Sequence, residues 1–201
     1  MTIANYTELQ DEVASLMHRE GDTDFEGKLP LFVRLFETRA SRELRVREME
    51  ETLASTPLVS GAASLPTGFR AFKELRFDGS PSYTLQPRSI EWIRAHDSAA
   101  SGDAEYFAIS GTQVVCWPTT GPIKGTYFKD IPALADNATN WLLTKNPDLY
   151  LFGMLTEAAL WVRDDEILAK AAPRTEALIE ALNREDQRNE FDGGILAVRA
   201  R

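Results

Sequence analysis

The chain has 201 residues, 43% of them hydrophobic and 26% charged, which excludes wholesale disorder and allows a domain with a buried core. Its net charge of −9 argues against general nucleic-acid binding, which needs clustered Lys and Arg to displace counterions. One cysteine, Cys116, excludes an internal disulfide, and two histidines, His18 and His96, are too few for a His-rich metal cluster.

The opening MTIANYTELQDE has no basic or apolar signal segment, so no secretory signal is expected. Thr7 is a candidate cap for a helix carrying Leu9, Val13, Leu16 and Met17 on one side. After the polar break Gly21–Gly27, a longer helix is expected from about Leu29 to Thr52, with Pro30 in its first turn. Leu31, Leu35, Leu44 and Met49 give it a partly apolar stripe, and Arg34 to Glu51 give it a dense mixed-charge face. Glu43 and Arg47 stand four apart, the spacing of a helical ion pair.

From Ser55 to about Asp136 the pattern changes to short alternating runs between Gly and Pro, which read as strands of a small antiparallel sheet. EYFAISGTQVVCW reads as a hairpin turning at Ser110 and Gly111, and SIEWIRAH as a short helix capped by Ser89. Helices return at Asn137. NATNWLLTKN is short, and Asn146, Pro147 and Asp148 then form a strong start signal. The helix they open, to about Arg163, is apolar on every side, so it belongs in the centre of a core, with part of it open to a subunit contact. A last helix from Asp165 to about Asn189 is bent or restarted at Pro173 and ends near Gly193 and Gly194. ILAVRAR then alternates like a strand with no local partner. No apolar run reaches the roughly 20 residues of a membrane span.

The expected fold class is α+β, mainly α: a helical bundle with a small inserted antiparallel sheet and an extended C-terminal arm. The expected organisation is one domain over 1–192, helical in 1–54 and 137–192 with the β insertion at 55–136, followed by an arm at 193–201.

Few residues suggest chemistry. RDDE, Arg163 to Glu166, clusters three carboxylates, but consecutive helical positions point in different directions. A helix end followed by a helix start explains them without a metal. Cys116 lies in an apolar strand, where a buried, inert thiol is the expectation and a Cys–His nucleophile the alternative. The glycine stretches SGAASLPTG and TTGPIKG match no phosphate-binding pattern, so no cofactor is expected. Arg39, Arg42, Glu43 and Arg45 form a mixed-charge face, expected to be salt-bridged and either solvated or subunit-facing. The four tryptophans, Trp92, Trp117, Trp141 and Trp161, suit core or interface anchoring better than base stacking.

Several stretches in order carry a resemblance: ANYTELQDEVASLMHR, LPLFVRLFETRASRELRVREME, SLPTGFRAFKELRFDG, YFKDIPALADNATNWLLTKNPDLYLFGMLTEAALWVRDDE and the closing GGILAVRAR. The chain resembles the head-to-tail adaptor, or connector, proteins of tailed phages, over nearly its whole length. The resemblance implies a structural virion protein at the head–tail interface, assembled in the host cytoplasm, with no enzymatic activity. It implies a ring of identical subunits, usually twelve, beneath the portal protein, with a tail or nozzle protein below and genomic DNA passing through the lumen unbound. It also implies an arm that reaches toward the portal, which puts portal or subunit contacts at Arg184, Arg188, Phe191, Ile195, Leu196, Val198 and Arg199. The alternatives are a small cytosolic nucleic-acid-binding regulator using the Arg-rich helix and a thiol hydrolase using Cys116.

Overall fold

The computed structural model describes residues 3–96 and 100–191, without the side chains of Glu190 and Phe191. The expected arm, 193–201, lies outside the described residues. In chain order the elements are α1 (Tyr6–Leu16), α2 (Thr23–Glu26), α3 (Leu29–Glu43), β1 (Glu50–Pro57), β2 (Ala62–Ser64), β3 (Phe69–Phe77), β4 (Gln86–Pro87) and α4 (Ile90–Arg94). There follow β5 (Tyr106–Ser110), β6 (Gln113–Trp117), β7 (Pro122–Lys129), α5 (Trp141–Lys145), α6 (Pro147–Val162) and α7 (Asp165–Phe191). The fold is α+β. The chain divides into two compact units, a helical unit of Met1–Glu48 with Ile131–Arg201 and a sheet unit of Met49–Asp130.

In the helical unit α6 is the central post, with α1, α3, α5 and α7 packed on it. It buries Leu149, Tyr150, Met154, Leu155, Ala158 and Ala159, as its all-round apolar character requires. Gly153 lets α3 approach: a Cβ there would lie 2.1 Å from the Phe36 ring. The post is not covered to its end, because Leu160 is 55% and Trp161 43% exposed.

The helix starts follow local chemistry, with two corrections. Asn5, not Thr7, caps α1: its side chain accepts from the Glu8 N–H at 3.0 Å, and Glu8 returns a bond to the Ala4 N–H at 2.8 Å. Asn140 caps α5 and Asp164 receives the Ile167 N–H at 2.9 Å. Pro147 opens α6 as expected, but the Asn146 side chain makes no cap bond. Asn146 also closes α5, its N–H reaching the Leu142 carbonyl at 2.8 Å, and this double duty holds it in a conformation unlike an ordinary cap. The helix α7 runs through Pro173 without a restart. Proline removes one donor near the start of a long helix, and packing against α6 holds the rest.

The expected helix from Leu29 to Thr52 ends at Glu43. Leu44 turns to an extended conformation, a short 3-10 turn spans Arg47–Met49, and Glu50 begins β1. Glu50–Leu53 pair antiparallel with Gly125–Phe128, a register that nothing within the local sequence announces.

The sheet unit holds two sheets rather than one. One has the strand order β1-β7-β3, the other β2-β6-β5-β4. All their strand pairs are antiparallel except β4 with β5. The β5–β6 hairpin turns through Gly111, whose φ of 59° is the left-handed conformation that glycine adopts without a Cβ penalty. Ser89 caps α4, accepting from the Trp92 N–H at 3.2 Å. An apolar cluster built on Leu53, Leu75, Phe77, Val114, Ile123 and Tyr127 forms the core of the unit.

Candidate functional site

The residues singled out from the sequence do not converge on a catalytic centre. Cys116 is 1% exposed, and burial pushes its thiol up to about 12, so it carries almost no thiolate near neutral pH. Successive strand residues point to opposite faces, so Cys116 faces the core while its neighbour Trp117 faces outward, where the His96 ring lies 4.7 Å from it. Two of the RDDE carboxylates have local partners: Asp164 caps α7 and Glu166 pairs with Lys170 at 2.6 Å. Arg163 takes the left-handed cap conformation, φ 60°, that ends α6. Among the described residues, no group of three His, Cys, Asp or Glu could hold a metal ion.

The mixed-charge face of α3 divides in two. Arg39 bonds Glu43 at 3.0 Å and Glu176 of α7 at 3.5 Å, the expected salt-bridged arrangement. It also faces Glu157 of α6, whose carboxyl burial raises despite the arginine's opposing charge. Arg42 stands exposed and, among the described residues, has no ion-pair partner. Arg45 lies beyond the helix end, and its guanidinium bonds the Ser41 carbonyl at 3.4 Å. The expected Glu43–Arg47 pair does not form, because the helix stops between them; Arg47 instead approaches Asp186 at 3.8 Å.

Next to Arg42 on the same face, Leu31 and Leu35 are 47% and 44% exposed and Arg34 is exposed. They recur at helical spacing, forming an apolar stripe flanked by two arginines. On α1 the solvent-facing side is acidic, with Glu8 and Asp11 exposed, Glu12 half-buried and no basic residue, and it ends in Leu16, 43% exposed. Glu8, Asp11, Glu12, Ser15 and Glu20 line an open concavity of about 560 Å³.

Of the expected portal contacts, Arg184 is exposed and bonds Glu180 at 2.7 Å, and Arg188 is exposed near the end of α7. The Phe191 side chain and Ile195, Leu196, Val198 and Arg199 lie outside the described residues. A smaller groove of about 240 Å³ lies between the start of α7's last turns and the loop after α3, lined among others by Val46, Arg47, Trp141, Lys145 and Asp186.

The sheet unit contains a cluster that the sequence reading missed. Trp92 lies 3.9 Å from His96, 4.9 Å from Tyr106 and 5.7 Å from Trp117, with Arg88 over the Trp92 and Tyr106 rings. The available signal was the four-residue spacing of Trp92, on α4, and His96, just past its end; their meeting with Tyr106 and Trp117 depends on the β5–β6 register. All four rings are half-buried and pack on one another at the surface of the unit, so Trp92 and Trp117 are not core anchors.

Among the described residues no helix is long and apolar enough to cross a membrane. A search of curated proteins gave no match. A family model described as SU10 adaptor protein matches residues 4–199. That match covers nearly the whole chain and agrees with the resemblance carried by its ordered motifs, so the protein belongs to the SU10 adaptor protein family.

Proposed function

We propose that this chain forms a ring beneath the portal protein of a tailed phage, extends the DNA channel and attaches the tail. The observation that carries the proposal is the family match over residues 4–199, whose members are phage adaptors with a structural role. The role asks for interaction surfaces, and the helical unit offers them in the exposed stripe of α3, the acidic face of α1 and the uncovered end of α6. The net charge of −9 suits a lumen through which DNA slides without capture, since like charge repels phosphate. In this reading Arg184, Arg188 and the residues from Phe191 through Ile195, Leu196, Val198 and Arg199 contact the portal or a neighbouring subunit. A strand-like segment there pairs its backbone groups by joining a partner's sheet. Arg39, Arg42, Glu43 and Arg45 lie on or beside the subunit-facing surface.

The thiol-hydrolase alternative loses its support with Cys116 buried and its thiol raised. The nucleic-acid regulator is weakened because Arg39 is engaged with two glutamates, and the remaining exposed arginines of α3, Arg34 and Arg42, stand in a chain of net charge −9.

Deletion of Gly193 to Arg201 tests the reading. The truncated protein should fold, and particles assembled with it should carry DNA-filled heads without tails in electron micrographs. Tailed, infectious particles would remove the arm from the role. Mixed with its portal, the full chain should appear as a ring at the portal's outer face, and failure to bind there would remove the adaptor reading.

A further inference from the structure

We infer that two copies of this chain join head to tail, the Leu31–Arg34–Leu35–Arg42 stripe of α3 in one copy docking on the acidic face of α1 in the next. The inference rests on the ring reading above and supplies the surfaces that would close the ring. Both faces carry charges left without partners among the described residues. On α3, Glu37 is buried and Glu43 is held by Arg39, so the unpaired exposed charge of that helix is positive, at Arg34 and Arg42. On α1 it is negative. Asp11 and Glu12 bond no cation among the described residues, and the helix contains no Lys or Arg.

Each face also carries exposed leucine. Leu31 and Leu35 lie one turn apart on α3, and Leu16 ends α1. Apolar area of this kind supplies affinity, and the opposed charges supply register and orientation. An open hollow of about 560 Å³ runs along the acidic face between Ile3 and Ala4 before the helix and Glu20 beyond it, room for a helix ridge. Both helices pack on α6 within the same unit, so one copy presents donor and acceptor surfaces at once. Two different complementary surfaces on one chain make a heterologous contact, which closes into a ring or runs on as a filament. A partner of other chemistry would satisfy one face and leave the other bare, whereas a second copy satisfies both.

The test exchanges charges between the two faces. One variant carries Arg34→Glu with Arg42→Glu, the other Asp11→Lys with Glu12→Lys; Glu8 is kept because it completes the α1 cap. Circular dichroism checks that each remains folded. Sedimentation at low salt, up to about 1 mM, should show the unchanged chain associating, with added salt weakening it. Each variant alone should associate at least ~10-fold more weakly, since like charges then face each other. An equimolar mixture should recover association, because acidic α3 then meets basic α1 and the native pair also re-forms. A monomeric unchanged chain, variants that associate normally, or a folded mixture that fails to recover would each overturn the inference. Rings that still form on a portal with either variant would point to another subunit face and leave the adaptor reading standing. Association through these faces without portal binding would do the reverse.

Discussion

Tyr150 donates its hydroxyl to Glu37 at 3.0 Å inside the helical unit, joining α6 to α3 through two buried polar groups. The Glu37 carboxylate also takes the Leu134 N–H at 2.9 Å. Asn140 donates to the Tyr150 hydroxyl at 2.6 Å and to the Pro132 carbonyl at 2.7 Å. Ser41, one turn along α3, accepts from the Ile131 N–H at 3.2 Å. Buried side chains of two helices thereby fix the segment 131–140, whose backbone groups have no ladder of their own. Tyr150→Phe would leave a buried carboxylate and a buried amide each short of a partner. A loss of about 2 kcal/mol in chemical unfolding is expected, with the fold unchanged. An unaltered midpoint would show that the network contributes nothing.

Glu37 also predicts a pH dependence. Burial raises its carboxyl, and the nearby Asp136 adds to the rise, while the bonds from Leu134 and Tyr150 only partly oppose it. A folded-state value above the unfolded 4.5 means that the folded protein binds the proton more tightly. This contribution to stability is therefore fully present below the unfolded value and lost as pH rises through the folded one. In Glu37→Gln the amide oxygen keeps both acceptor bonds and the titration disappears. Melting curves of the two proteins should diverge in favour of the variant as pH increases, and parallel curves would contradict the raised value.

Gly153→Ala should lower stability by about 1–3 kcal/mol, because its new methyl would press into the Phe36 ring where α3 meets α6. For a chain of this size that is a fall in melting temperature of several degrees. No change would mean that α3 shifts freely.

Asn183 of α7 donates to the Glu43 carbonyl at 3.0 Å and accepts from the Arg45 N–H at 2.8 Å, completing the end of α3 from another element. Asn183→Ala should cost about 1 kcal/mol, the scale of a lost cap, with exposed water replacing part of the bonding. Hydrogen exchange should quicken at Arg45 and around the helix end. Unchanged exchange there would exclude the capping role.

Cys116 should react with a thiol reagent only as the sheet unit opens, so its labelling rate should follow the unfolding equilibrium. Fast labelling of the native protein would show an accessible thiol and reopen the question of its reactivity.

Features carried by neighbouring residues were legible in advance. Pro147 opening α6, Ser89 capping α4, the hairpin turn at Gly111 and the burial of the apolar α6 all follow from short-range chemistry. The family could be read for the same reason, from ordered stretches of residues. The surfaces now proposed for self-association could not. Arg34 and Arg42 read as part of a compensated charge face until the structure showed Glu37 turned inward and Glu43 taken by Arg39. The aromatic cluster of Trp92, His96, Tyr106 and Trp117 likewise waits on a strand register.

By themselves the residues determined where most helices begin, that α6 must be buried, and that a β-rich segment interrupts two helical ones. The tertiary structure alone decided that the charged run after Glu43 leaves the helix and becomes β1, because its stabilising partner is β7, some 70 residues away in sequence. Helix periodicity is a local property, whereas strand pairing and the burial of one acid over another depend on contacts between distant segments.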